Sequence, residues 1–153
     1  MNMKKIKSLL IVLLCLTSIS VFSQQKTTEV FKPAEAHKKS YNALYILNEA
    51  DNKKIRGMLR NINNVLHDQR LEGKLHIEVI AFGDGVEMYK KSNNYGSLLN
   101  ALKAQGVLFA QCSKTMEERK IGKEELYDFV HYVPSGNGEI ILRQYEGWAV
   151  VHP

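Results

Sequence analysis

The chain has 153 residues, of which 44% are hydrophobic and 24% are charged, with a formal net charge of +5. This composition indicates a globular domain and excludes collagen-like, low-complexity and strongly charged disordered proteins. No cluster of Lys and Arg is interleaved with aromatic residues in the manner of a nucleic-acid patch, so we expect no nucleic-acid partner.

The first residues have the pattern of a targeting segment. Lys4, Lys5 and Lys7 form a positive region, an apolar run follows over residues 9–16, and residues 21–23 (Val-Phe-Ser) resemble a cleavage site. This order predicts a signal peptide over residues 1–23 and a periplasmic or secreted location.

Two other interpretations of this segment stay open. An uncleaved membrane anchor is disfavoured because the apolar run is shorter than the roughly 20 residues that span a bilayer. A lipoprotein site at Cys15 is disfavoured because Leu14, the residue before it, is large. We therefore expect no stable membrane span after signal cleavage.

Cleavage would leave about 130 residues, one ordinary domain, and would lower the net charge to about +2. Residues 24–40 are polar and predict an N-terminal arm, and residues 41–153 predict a single domain. Cys112 would be the one remaining cysteine, which excludes an internal disulfide and a cysteine-based zinc site. We expect no metal and no cofactor.

Apolar runs alternate with segments of helical periodicity. The expected strands cover residues 41–47, 75–82, 107–112, 129–133 and 148–151. The expected helices begin after Asp51, at Ser97, at Thr115 and at Glu139, with a short helical piece over residues 86–91 and a helical turn over residues 123–126. Strands alternate with helices almost throughout, which predicts an open α/β sandwich with a mostly parallel sheet of about five strands.

Cys112 lies where a buried strand passes into a helix. Thr115 is the expected cap of that helix, and Lys114 places a cation nearby. N–H groups at a helix start favour a thiolate, which predicts a nucleophilic or sulfur-carrying thiol. The alternative is an inert thiol, because a buried cysteine often only packs. His131 and His152 are the two candidate bases that could approach Cys112 in space, but each is expected to be structural.

Loops that follow parallel strands meet at one edge of the sheet, where ligands bind. The residues expected there are Asn48, Gly83, Asp84, Gly85, Ser113, Ser135 and Gly136, around Cys112. Asp84 is expected to present a carboxylate beside the thiol, although it also suits a helix cap. The Ser135 loop either binds an anion or only caps a helix. Dinucleotide and P-loop glycine motifs are absent from the sequence.

Several segments together resemble the DsrE/DsrF-like family, in particular its small exported stand-alone members. They are residues 43–49, 59–64, 78–85, 101–112 (ALKAQGVLFAQC), 133–136 and 144–148. The resemblance implies a three-layer α/β sandwich of the flavodoxin-like kind with about five strands, assembled as a homo-oligomer that is trimeric or hexameric. It also implies a sulfur-relay role in which the cysteine at the position of Cys112 carries sulfur as a persulfide. A sulfur donor or acceptor protein is the partner that it implies.

Two functions follow as hypotheses. The first is an exported protein that binds or transfers sulfur through a persulfide on Cys112. The second is a non-catalytic homo-oligomeric module that binds a small ligand or a partner. The sequence carries no enzyme signature that would decide between them.

Overall fold

The computed structural model describes residues 30–152, so the predicted signal peptide lies outside the described residues. Residues 30–40, the described part of the predicted N-terminal arm, contain no helix or strand. All the elements named below belong to the compact unit of residues 35–153. No helix within residues 30–152 is both long and apolar enough to cross a membrane.

Within the described residues the chain forms one sheet of five parallel strands. They are β1 (Tyr41–Leu47), β2 (Leu75–Ala81), β3 (Leu108–Cys112), β4 (His131–Val133) and β5 (Ala149–Val151), in the spatial order β4-β3-β2-β1-β5. The central strands are buried on both faces, which explains why they read as continuous apolar runs. The predicted α/β fold class is confirmed.

Four α-helices connect these strands. They are α1 (Asn52–Leu66), α2 (Gly96–Ala104), α3 (Ser113–Arg119) and α4 (Gly136–Tyr145), together with 3₁₀ helices at Gly83–Tyr89 and Lys123–Glu125. Asp51 caps α1 as predicted, because its carboxylate accepts a 2.8 Å hydrogen bond from the Lys54 N–H.

Several predicted boundaries differ from the structure. The helix expected from Thr115 begins at Ser113, directly after β3, so Thr115 lies inside the helix and the prediction that it caps α3 is wrong. The helix expected from Glu139 begins three residues earlier with Ser135 as its cap, and α2 begins at Gly96 rather than after Ser97. Strand β4 is confined to three residues because the chain before His131 turns rather than extends.

The two faces of the sheet have cores of different size. The larger core includes α1 residues Ile55, Met58, Leu59 and Ile62, buried against alternate residues of β1 and β2. The smaller core holds Leu44, Ile46, Ile80 and Ala110, with Ile140 of α4 and Trp148 packed against it. Among the described helices, only α4 contributes a side chain to the smaller core, so α4 covers that face of the sheet.

Gly85 marks a close approach between the chain after β2 and the end of β1. A Cβ atom there would overlap the backbone carbonyl of Leu47, which cannot move without disturbing β1. Gly85 is thus required by packing, and this accounts for one glycine of the Gly83-Asp84-Gly85 sequence.

We predict that Gly85→Ala lowers the free energy of unfolding by at least about 2 kcal/mol, because backbone atoms must shift to admit the methyl group. Gly57→Ala is the matched control, since a Cβ on that α1 residue meets nothing within 4 Å. It is expected to stabilise the helix by about 0.5–1 kcal/mol. Urea unfolding of both variants measures the difference, and equal stabilities would contradict the packing argument.

Candidate active site

A cavity of about 380 Å³ opens at the carboxyl edge of the sheet, where β2, β3 and β4 end. This is the edge at which parallel sheets bind ligands. The cavity is lined by Phe82, Gly83, Cys112, Lys114, Thr115, Glu118, Ser135, Gly136 and Asn137.

Cys112 is the last residue of β3 and the residue from which α3 begins. It shares a sheet face with Ala110, which is the face that α4 covers. Its side chain therefore stands between the first turn of α3 and the first turn of α4. The residue is only 5% exposed, and it is the one cysteine among residues 30–152.

Polar groups from both helices change the ionisation of this thiol. Burial alone raises the pKa of Cys112, but the N–H and hydroxyl of Thr115 and the N–H groups of Gly136 and Lys114 lower it by more. The resulting pKa is below the ordinary cysteine value. Groups that donate to the sulfur from two helix starts therefore favour its charged form.

Thr115 joins the end of β2 to α3. Its hydroxyl oxygen accepts a 3.0 Å hydrogen bond from the N–H of Gly83. Since a hydroxyl has a single proton, this bond leaves that proton for donation to the sulfur of Cys112. The buried threonine thus positions Gly83 and stabilises the thiolate at the same time.

The loop before α4 forms the opposite wall of the cavity. The Ser135 hydroxyl caps α4 by accepting a 3.3 Å hydrogen bond from the Gly138 N–H. Gly136 is buried, and a Cβ there would lie 2.9 Å from the ring of Phe82. Glycine at this position therefore lets the backbone of α4 come close to the sheet, with its N–H directed to the thiol.

Charges of both signs border the cavity. Lys114 lies beside Cys112 in the sequence, and its ammonium forms a 2.6 Å ion pair with Glu117 on the exposed side of α3. Glu118 also lines the cavity. A nearby acid limits the positive potential, so the N–H groups and Thr115 are the main stabilisers of a thiolate.

The structure brings together four of the eight predicted site residues. Gly83, Cys112, Ser135 and Gly136 line the cavity. The other four, Asn48, Asp84, Gly85 and Ser113, do not.

These four residues make other contacts. Asp84 pairs with Arg119 at 2.6 Å, and the Asn48 side-chain oxygen lies 3.4 Å from a ring nitrogen of His152. Ser113 borders a different surface depression near Met116, and Gly85 packs against Leu47. The expected approach of Asp84 to the thiol is therefore not found.

Two residues of the cavity were missed by the sequence analysis, because Phe82 was assigned only to a strand and Glu118 only to the first turn of a helix. Asn137 belongs to the loop Ser135-Gly136-Asn137, which is expected at this edge of the sheet, and it lines the cavity. No histidine lines this cavity, and within the described residues no group of three or more His, Cys, Asp or Glu is arranged to hold a metal ion.

We predict that Thr115→Val raises the pKa of Cys112, by about one unit or less, because the hydroxyl that faces the sulfur is lost. Thr115→Ser keeps the hydroxyl and is expected to leave the pKa close to that of the parent. The rate of iodoacetamide alkylation as a function of pH, measured in a Cys15→Ser background, gives both values. Identical profiles for the Val and Ser variants would show that the hydroxyl does not act on the thiol.

Residues 25–153 match the model of the DsrE/DsrF-like family. Comparison with curated proteins gives no match.

Three solved structures are similar to the chain. A protein of unknown function, MTH1491 from Methanobacterium thermoautotrophicum, is 31% identical, with a TM-score of 0.70 over 74% of this chain and 100% of its own. The ychN protein from E. coli is 18% identical, with a TM-score of 0.56 over 76% of this chain and 100% of its own. A conserved protein of unknown function, BT1422 from Bacteroides thetaiotaomicron, is 12% identical, with a TM-score of 0.53 over 73% of this chain and 94% of its own.

The last two similarities concern the fold alone. The family match covers most of the sequence and includes every strand and helix described above. The chain therefore belongs to the DsrE/DsrF-like family.

Proposed function

We propose that the protein is an exported sulfur carrier that binds and transfers sulfur as a persulfide on Cys112. The observation that carries the proposal is a thiol of lowered pKa at the wall of an open, largely polar cavity. A thiolate is the form that attacks sulfur, and a structural cysteine buried among aliphatic side chains has a raised pKa instead. Membership of the family supports the same assignment.

The transfer step needs no other oxidant when the donor is itself a persulfide, R–S–SH. The Cys112 thiolate attacks the terminal sulfur of the donor, a new S–S bond forms, and the donor S–S bond breaks. The products are the Cys112 persulfide, which retains the donor's proton, and the thiolate R–S⁻. The reverse of this step, with an acceptor thiolate, returns the sulfur and regenerates Cys112.

The walls of the cavity suit this exchange. N–H groups of Gly136 and Lys114 and the Thr115 hydroxyl stabilise negative charge on sulfur without a protein base. Because the attacking group is already a thiolate, the absence of histidine from the cavity lining is compatible with the step. The small exposed area of Cys112 favours a narrow donor, such as a small molecule or an extended segment of a partner protein.

The proposal also includes location and assembly. The N-terminal Lys-rich and apolar pattern supports export to the periplasm or beyond. Exposed Ile141, Leu142 and Tyr145 on the outer side of α4 support a homo-oligomer, trimeric or hexameric, because such a patch is unusual on a monomer surface.

A second candidate is a non-catalytic module that binds a small ligand or a partner in the same cavity. It is favoured by one observation, the 5% exposure of Cys112, which restricts access to the sulfur. Under this alternative the N–H groups bind a ligand and the thiol only forms part of the wall.

We predict that cysteine persulfide adds one sulfur atom per chain to a Cys15→Ser variant of the full chain. Intact mass spectrometry without reductant detects the gain, and dithiothreitol is expected to reverse it with release of hydrogen sulfide. The reason is that the Cys112 thiolate is the only remaining nucleophilic sulfur of a cysteine.

Cys112→Ser is the matched control and retains Cys15. A gain of sulfur by this variant would show that Cys112 is not the residue that takes up the sulfur. A folded Cys15→Ser variant that takes up no sulfur would refute the carrier role and leave the binding module.

We predict that Leu142→Glu reduces the mass of the assembly in solution, because a carboxylate replaces an apolar contact on α4. Leu98→Glu is the control, since Leu98 is an exposed leucine on the helix α2. Light scattering coupled to gel filtration distinguishes the two variants. Equal masses for both would exclude this face of α4 as the subunit contact.

A further inference from the structure

Glu78 is a buried acid in the middle of β2. It is 3% exposed and lies on the sheet face that α4 covers, where its neighbours along the strand are apolar. Neither of its carboxylate oxygens receives a hydrogen bond of good geometry. Burial consequently raises its pKa, although Arg143 acts in the opposite direction.

Arg143 is the charged partner of Glu78 and belongs to the last turn of α4. Its guanidinium lies 2.8 Å from a Glu78 carboxylate oxygen. It also pairs with Glu139 at 2.8 Å and Glu146 at 3.1 Å, and it stacks over the ring of Trp148 at 4.4 Å. Three carboxylates and one ring therefore hold this arginine in a single orientation.

Helix α4 has few apolar contacts that could fix its position. Ile140 is its one side chain packed on the smaller core, whereas Tyr145 is 91% exposed. Gly136 is the one residue of the helix that is fully buried. Apolar burial alone would thus leave the helix able to slide on the sheet.

The helix contacts β2 at one point and the residue directly after β2 at another. Its first residue, Gly136, approaches Phe82, and its eighth, Arg143, reaches Glu78. Seven helical residues span about 10 Å, and four strand residues span about 13 Å, so one straight helix running antiparallel to β2 joins both points.

We propose that the ion pair between buried Glu78 and partly exposed Arg143 is a positioning device for the reactive thiol: it fixes the register of α4 on the sheet and so holds the Gly136 N–H against Cys112. Glu78 acts through α4 and is a positioning residue, not a catalytic one. The inference rests on the proposed role of Cys112, but it concerns the ionisation of the thiol and not the loading of sulfur.

The choice of an ion pair at this position has a physical reason. A buried ion pair contributes little net stability compared with apolar residues of similar size, but it penalises every arrangement in which the charges separate. An apolar contact would let α4 slide along the sheet at little cost, whereas the ion pair forms in only one register of α4 on β2.

The test compares thiol ionisation with stability in a Cys15→Ser background. Glu78→Leu is expected to move the pH midpoint of Cys112 alkylation by iodoacetamide upward by roughly half a unit, because one of several N–H groups is displaced. Glu78→Leu/Arg143→Leu removes the buried carboxylate together with its partner charge, so it is expected to recover stability in urea but to keep the raised midpoint. Glu139→Gln is the matched control: it removes a carboxylate contact of Arg143 within α4 and is expected to leave the midpoint unchanged.

A purely structural role for Glu78 would lower the stability of the single variant and leave its alkylation midpoint at the parent value, and that result would overturn the inference. A double variant with a parent-like midpoint would also overturn it, even if the single variant fails to fold. Sulfur uptake is measured in a separate experiment, so failure of the carrier role would not change the alkylation midpoints on which this inference is tested.

Discussion

The arrangement of N–H groups around one buried sulfur is the constraint on which the rest of the site depends. Cys112 is too buried to be solvated well, and burial by itself would keep the thiol protonated. Dipoles from α3 and α4 oppose that effect. A parallel sheet provides them because β3 passes directly into α3 in one layer, while α4 begins beside it in the other layer.

The two helices reach the thiol in different ways. Helix α3 is covalently continuous with Cys112, so the position of Thr115 follows from the chain itself. Helix α4 begins 24 residues after Cys112 in the sequence and must be placed by packing and charge. The contact of Gly136 with Phe82 lets the start of α4 come close to the sheet. The ion pair between Glu78 and Arg143 fixes the register of α4 on β2.

The sequence predicted the strands well because apolar runs of five to seven residues between polar turns have few other stable arrangements. It placed Thr115 at a cap because capping preferences describe isolated helices, whereas here Cys112 itself occupies that position. The expectation for Asp84 depended on the direction of a side chain, and Arg119 of α3 determines that direction through an ion pair that no local pattern reveals. Glu78 did leave a signal, a charge within an otherwise apolar strand, but its partner is 65 residues away along the chain and only the fold brings them together.

The most direct measurement is the pKa of Cys112 in the otherwise unmodified protein. The ultraviolet absorbance of the thiolate, recorded against pH for Cys15→Ser and corrected with Cys15→Ser/Cys112→Ser, reports this value alone. We expect a midpoint below the ordinary value for a cysteine thiol. A midpoint at or above that value would mean that burial outweighs the N–H groups, and Cys112 would then be an inert packing residue.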